Sequence, residues 1–298
     1  NKFNWKKKKP DVLHAHLPYM ELVSYFSLRF SVYKPKFIIT KHVDSDFFYG
    51  SITQQKTYFG SLVAKIISFK ADKIIAISKA VKKYLIFGKF GIEKKKIKHI
   101  YYGLDSLKYN NKKDFKLKKK NFIKNYIVLG CIARLVPQKS IENLIISLSH
   151  LKKFKIKLII VGNGPLKNKL KNLSKELKVS DQIIWIDFLD DVRKFYNFID
   201  IFVLTSLYEG LGLVFLEAML CKKPIIASNT SAMKEVVKNN YNGILVQPNN
   251  PFLLSKAIFK LRNRNFRNKL GYAGYKHVKK NFSVKQMYEN TFNIYLEK

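Results

Sequence analysis

Ile201-Phe202-Val203-Leu204-Thr205-Ser206-Leu207-Tyr208-Glu209-Gly210-Leu211-Gly212-Leu213-Val214-Phe215-Leu216-Glu217-Ala218-Met219 is a short apolar run, a loop with two glycines and a second apolar stretch. The first run is too short for a helix and reads as a buried strand over 201–204. The glycines allow a sharp turn, and the second stretch reads as a helix over 212–221. Strand, glycine turn and helix make one βα unit. The competing reading is a membrane span, which needs roughly 18–20 unbroken apolar residues. Residues 199–220 form the best stretch in the chain, and Asp200, Glu209 and Glu217 break it. The βα reading therefore holds.

The same style extends in both directions. Around this unit, strands are predicted at 128–133, 157–161, 183–186, 224–227 and 243–246. Helices are predicted at about 141–152, 165–177, 190–198, 231–238 and 251–262. Nearer the start, strands fall at 11–15, 37–40, 73–77 and 98–101, and helices at 20–33, 58–70 and 78–87. Ser78 is positioned as a helix N-cap. Residues 103–125 are polar and lysine-rich and read as a linker. A last amphipathic helix covers 283–297 and is expected to return to the first domain. The predicted architecture is α/β, with two doubly wound, Rossmann-like domains at 1–122 and 123–282, a cleft between them and a closing helix at 283–298. Ligands in such sheets bind outside the carboxyl ends of the strands.

Composition narrows the function. With 47% apolar residues in 298, a sizeable core is available and general disorder is excluded. The net charge of +37 suggests a polyanion partner. Only six of the 57 basic residues are Arg, at 29, 134, 193, 262, 264 and 267. Nucleic-acid binding calls for clustered Arg and exposed aromatics along a groove, so dispersed Lys argues against it. Asn, Ile, Phe and Tyr are abundant as well, which fits codon bias. Cys131 and Cys221 lie in apolar stretches and suggest a reducing compartment.

The first segment carries chemistry. Glu209 falls in the loop after the strand, and Glu217 in the helix. Free amides at the N-terminus of that helix form an anion site. Amides for phosphate plus carboxylates for hydroxyls suit a nucleotide sugar. A second segment is Gly130-Cys131-Ile132-Ala133-Arg134-Leu135-Val136-Pro137-Gln138-Lys139-Ser140. Here a strand ends at Arg134 and a helix capped by Ser140 begins. Arg134 and Lys139 are placed to clamp a diphosphate. Asp44-Ser45-Asp46 matches a short metal motif, but no metal site is assigned. Gly162-Asn163-Gly164 falls short of a dinucleotide fingerprint.

Together these segments give the chain a resemblance to glycosyltransferase family 4, the retaining sugar transferases of GT-B fold. Other parts of the resemblance are Pro10-Asp11-Val12-Leu13-His14-Ala15-His16, Ala71-Asp72-Lys73-Ile74-Ile75-Ala76-Ile77-Ser78, Val161-Gly162-Asn163-Gly164-Pro165 and Asn242-Gly243-Ile244-Leu245-Val246. It implies transfer of a hexose-type sugar from a UDP- or GDP-sugar to a lipid-linked, polysaccharide or small-molecule hydroxyl, with no metal or other cofactor. Arg134 and Lys139 would contact the diphosphate, Glu209 the transferred sugar, Gly212 and Leu213 the phosphate, and Glu217 the ribose. His16 would sit near the reacting centre, across the cleft. His14 is expected to point the other way and pack. The base would lie near Phe188 and Leu189. His42 is a further candidate for the acceptor side.

The resemblance also implies a role in lipopolysaccharide or cell-surface polysaccharide synthesis on the cytoplasmic side of the inner membrane. Lysines 6–9, 56, 65 and 70, with Phe26, Phe30 and Tyr33, would dock peripherally on an anionic surface. The family's opening strand and glycine-rich loop are missing before Asn1. An impaired relative and a sugar-nucleotide epimerase of the same fold are the alternatives.

Overall fold

A computed structural model describes residues 9–43, 58–88, 91–109, 125–230 and 232–297. The chain begins with β1 (Val12–His16), α1 (Pro18–Arg29), β2 (Lys36–Lys41), α2 (Tyr58–Lys70), β3 (Lys73–Ala76), α3 (Lys79–Phe87) and β4 (Ile97–His99). It continues with β5 (Ile127–Ile132), α4 (Ile141–Ser149), β6 (Ile156–Val161), α5 (Lys167–Glu176), β7 (Ile183–Ile186), α6 (Val192–Phe198), β8 (Ile201–Leu204) and α7 (Leu213–Leu220). It ends with β9 (Ile225–Ser228), α8 (Met233–Val236), β10 (Gly243–Val246), α9 (Pro251–Lys260), α10 (Arg264–Asn281) and α11 (Val284–Leu296).

These elements form two compact units, Asn1–Tyr102 with Lys285–Lys298, and Gly103–Val284. The first holds a parallel sheet in the order β1-β2-β3-β4. Parallel strands are covered on both faces, which is why they read as continuous apolar runs. Ile38, Ile75, Ile100 and Ile294 share one core cluster, with Val12, Met287 and Tyr295 packed against it. The end of α11 is clamped as well. Lys36 Nζ donates to the carbonyls of Ile294 and Glu297, a favourable place for a cation at a helix C-terminus. The Glu297 carboxylate pairs with Lys73 and Lys98, each at 2.8 Å. Ser78 caps α3, its Oγ accepting from the Val81 amide at 3.1 Å.

The second unit is a six-stranded parallel sheet in the order β10-β9-β8-β5-β6-β7. The first strand of the unit thus lies in the middle and the winding reverses between β5 and β8. That reversal is the switch point of a Rossmann-like fold. Tyr196, Phe202 and Phe215 fill the core under it, with ring centroids 5.6 and 5.9 Å apart along the row.

Two details depart from expectation. Ser140 precedes α4 but sits at φ 48°, and its side chain does not cap the helix; its Oγ meets Asn249 Oδ1 at 3.3 Å instead. Helix α10 is absent from the expectations. Its apolar pattern is thin, and Gly271 and Gly274 interrupt it. Gly271 is there for contact: a Cβ would stand 2.1 Å from the Lys222 carbonyl oxygen.

Candidate active site

At the switch point, the loop after β5 and the loop after β8 are stitched together. The Leu207 amide donates to the Gln138 carbonyl at 2.8 Å, and Gln138 Nε2 donates to the Tyr208 carbonyl at 2.9 Å. Lys139 Nζ lies 2.5 Å from Glu209 Oε1. Ser206 Oγ donates to that same oxygen at 2.7 Å. Glu209 is buried, so its carboxylate is held in place by an ammonium and a hydroxyl. Such charge-assisted bonds are the strong ones. Arg134, just beyond β5, is exposed and makes no ion pair among the described residues. Gly212 opens α7 at φ 73°, a left-handed conformation that favours glycine. The amide end of α7, starting at Leu213, comes directly after it. The sequence-predicted Glu209, Arg134, Lys139, Gly212 and Leu213 therefore all lie at the carboxyl ends of β5 and β8.

Glu217 is one helical turn farther along α7. Its Oε1 accepts from Tyr109 at 3.2 Å and its Oε2 from Tyr196 at 2.7 Å. Burial pushes the carboxyl pKa up, and the two phenols oppose that. Tyr109 comes from the turn Ser106–Tyr109, inside the stretch expected to be linker. That turn is tied down by Arg193, whose Nη1 donates to the Lys108 carbonyl at 3.3 Å. Arg193 in turn grips Asp191 through Nε at 2.7 Å and Nη2 at 2.9 Å. Tyr109, Tyr196, Gln138 and Ser206 were not anticipated from sequence. Phe188 and Leu189 come after β7, and Phe188 is 77% exposed.

In the first unit, His16 stands at the carboxyl end of β1, opposite Thr40 of β2. His14 does not point the other way. Residues two apart on a strand share a face, and the His14 and His16 rings lie 4.3 Å apart. His14 Nδ1 meets the Tyr295 hydroxyl at 2.6 Å and its Nε2 meets Thr40 Oγ1 at 2.7 Å. His16 Nδ1 meets His42 Nε2 at 3.3 Å. Burial, helped by neighbouring positive groups, pushes the His14 and His42 pKa values down to about 4. Burial also lowers that of His16. Asp44-Ser45-Asp46 lies outside the described residues. Among the described residues no group of three His, Cys, Asp or Glu side chains is arranged to hold a metal.

Comparison with known proteins finds relatives that match both units. An O-antigen biosynthesis glycosyltransferase, WclY of Escherichia coli, is 34% identical over 68% of this chain and 56% of its own. The Escherichia coli UDP-Gal:alpha-D-GlcNAc-diphosphoundecaprenol alpha-1,3-galactosyltransferase is 26% identical over 95% of this chain and 76% of its own. The crystal structure of Anabaena HepE in complex with UDP and glucose superposes with a TM-score of 0.85 at 20% identity, covering 97% of this chain and 78% of that one. That likeness shows the GT-B type of fold, two parallel-sheet Rossmann-like domains. The chain spans 59–63% of the length of the archaeal glycosyltransferases of Methanocaldococcus jannaschii that it also matches. The profile described as "Glycosyl transferases group 1" matches residues 112–277 and that described as "Glycosyltransferase Family 4" matches 2–106; the chain therefore belongs to the group 1 family of glycosyl transferases, with a family 4 first domain.

Proposed function

We propose that this chain carries out retaining transfer of a hexose-type sugar from a UDP- or GDP-sugar to a lipid-linked, polysaccharide or small-molecule hydroxyl. The observation that carries the reading is the Lys139–Glu209 pair, 2.5 Å apart beside the amide end of α7 at the sheet's switch point. That place offers cations and amides for a diphosphate and a fixed carboxylate for sugar hydroxyls. The relatives' substrates support the donor class: one is named for UDP-Gal and a structural neighbour holds UDP and glucose.

In this reading Arg134 and Lys139 bind the diphosphate and stabilise the leaving nucleotide. Their fixed charges do the work that a metal does elsewhere. Leu213 and Gly212 present amides to phosphate. Glu209 accepts from hydroxyls of the transferred sugar. Glu217 takes ribose hydroxyls, beside Tyr109. Phe188 and Leu189 lie near the base. His16 of the first unit meets the sugar. The acceptor hydroxyl attacks from the face that the nucleotide leaves, so positioning and leaving-group stabilisation supply the rate. The product enters a cell-surface polysaccharide on the cytoplasmic face of a membrane, with the first unit bound peripherally.

Calorimetric titration with UDP, GDP and their sugars identifies the donor nucleotide, and transfer assays then test the residues. Removing one stabilising group from such a site costs about 10²-fold or more in rate. Glu209→Gln, Arg134→Ala and Lys139→Ala are each expected to lose at least that much. If all three keep transfer at wild-type rate, the reading fails.

A further inference from the structure

Glu217 meets its two phenols on different terms. Tyr196 of α6 is buried and donates to Oε2 at 2.7 Å. Tyr109 is half-buried and donates to Oε1 at the longer distance of 3.2 Å. Oε2 is thus committed to a core residue, and Oε1 is left beside the less buried phenol. The reaction as proposed gives the Tyr109 hydroxyl no part.

We propose that Tyr109 is a specificity-determining residue for the donor nucleotide, its phenol oxygen accepting from one ribose hydroxyl while Glu217 Oε1 accepts from the other.

The hydrogen-bond count allows this. A phenol has one O–H to donate and lone pairs with which to accept. The Tyr109 proton goes to Glu217, so its oxygen is still able to accept. A carboxylate oxygen has room for a second donor beside Tyr109. The two acceptors are 3.2 Å apart, side by side as the hydroxyls of a cis-diol are. Burial, with the Glu217 charge next to them, raises the pKa of both phenols, so both stay protonated and donate. Two such donors favour the ionised carboxylate, which is the form that accepts.

Tyr109 is also held in place. The Leu107 amide donates to Asp105 Oδ1 at 3.0 Å and the Lys108 amide to the Asp105 carbonyl at 3.2 Å, which closes the turn. Arg193 of α6 holds the Lys108 carbonyl, and the turn packs on α7. A fixed polar group discriminates, because a sugar without the matching hydroxyl leaves it unpaired. The place of the ribose at Glu217 rests on the function proposed above; the pairing of Tyr109 with Glu217 does not.

The test is calorimetric binding of UDP, 2′-deoxy-UDP and 3′-deoxy-UDP to the full chain, or of GDP and its two deoxy forms if GDP is the nucleotide bound. Wild type should bind each deoxynucleotide about 10-fold more weakly than the parent, the worth of one hydrogen bond. Tyr109→Phe should weaken the parent about 10-fold. It should bind one of the deoxynucleotides as wild type does, because the missing hydroxyl and the missing phenol belong to the same bond. Glu217→Gln should show that coupling with the other deoxynucleotide. Its amide oxygen stays with Tyr196 and its NH2 takes the place of Oε1, where it cannot accept. Both substitutions keep the shape of the side chain, and an unchanged near-ultraviolet circular dichroism spectrum reports an intact fold. Wild-type affinity of Tyr109→Phe for all three nucleotides overturns the proposal, as does a uniform loss across them. Tighter binding also overturns it, since Tyr109 would then be a plug over the site. So does coupling of both variants to the same hydroxyl, since Tyr109 would then act only through Glu217. In each of these cases the donor reading stands if the parent nucleotide binds and Lys139→Ala weakens it. If neither UDP nor GDP binds, that reading falls and the proposal falls with it.

Discussion

Glu21 of α1 and Lys41 of β2 form an ion pair at 2.5 Å, with both side chains only 1% exposed. Burial lowers the Lys41 pKa to about 8 and raises that of Glu21, and their mutual attraction opposes both shifts. Each charge lowers the cost of burying the other. Breaking such a pair from one side typically costs about 3–5 kcal/mol, while replacing both partners with apolar groups of similar volume is often neutral. Glu21→Gln is therefore expected to destabilise the first unit by about 3–5 kcal/mol in urea denaturation. The double variant Glu21→Met with Lys41→Met should recover most of that loss. A single variant as stable as wild type would show that the pair is not held in this buried form. Since Lys41 is the last residue of β2, the pair also anchors the carboxyl end of that strand.

At the level of elements, burial decides what was legible. Strands such as Ile156–Val161 are covered on both faces and show as unbroken apolar runs. Glu209, Arg134 and Lys139 stood out singly because each comes after a strand. That Lys139 and Glu209 touch, 70 residues apart, lies in the sheet order and not in either segment. Tyr109 was hidden for a related reason. It sits in a polar stretch, and only tertiary contact gives its hydroxyl a partner in Glu217. The period of a strand did contain the correct face for His14. Helix α10 escaped because Gly271 and Gly274 read as breaks. In fact Gly271 lets α10 approach the turn after α7, and Gly274 faces Met219 of α7 at 3.0 Å from an added Cβ. Glycine costs a helix roughly 1 kcal/mol relative to Ala. Here that rule should invert. Gly271→Ala puts a methyl 2.1 Å from the backbone oxygen of Lys222, and overpacking of this kind costs about 1–3 kcal/mol. Urea denaturation of Gly271→Ala should show that loss, while alanine at an exposed α10 position such as Asn268 should not. A stabilised Gly271→Ala would mean that α10 does not pack this closely.

For the whole molecule, the surplus of lysines is dispersed, and position decides which of them matter. On the first unit, Phe26 and Phe30 of α1 and its exit are 50% and 84% exposed, and on α2 Leu62, Ile66 and Phe69 are exposed too. The two helices pack on one another. Lys65 and Lys70 accompany the α2 residues, with the Lys65 ammonium 5.9 Å above the Phe69 ring. Lys9 is exposed ahead of β1, and lysines 6–8 and 56 lie outside the described residues. Among the described residues no helix is long and apolar enough to cross a membrane. Apolar side chains beside cations on neighbouring helices fit an anionic bilayer surface, where each basic residue contributes about 1 kcal/mol and salt screens the attraction. A nucleic acid would instead call for stacked aromatics along an Arg-lined groove. Co-sedimentation of the chain with vesicles of anionic lipid is therefore expected at low salt and should weaken as salt rises. Vesicles of neutral lipid should bind far less. Replacing Phe26 and Phe30 with Ser should weaken binding at every salt concentration, because it removes the apolar contribution and leaves the charge. Absence of binding to anionic vesicles at low salt would reject the surface. Equal binding by the Ser variant would reduce it to unspecific attraction by net charge.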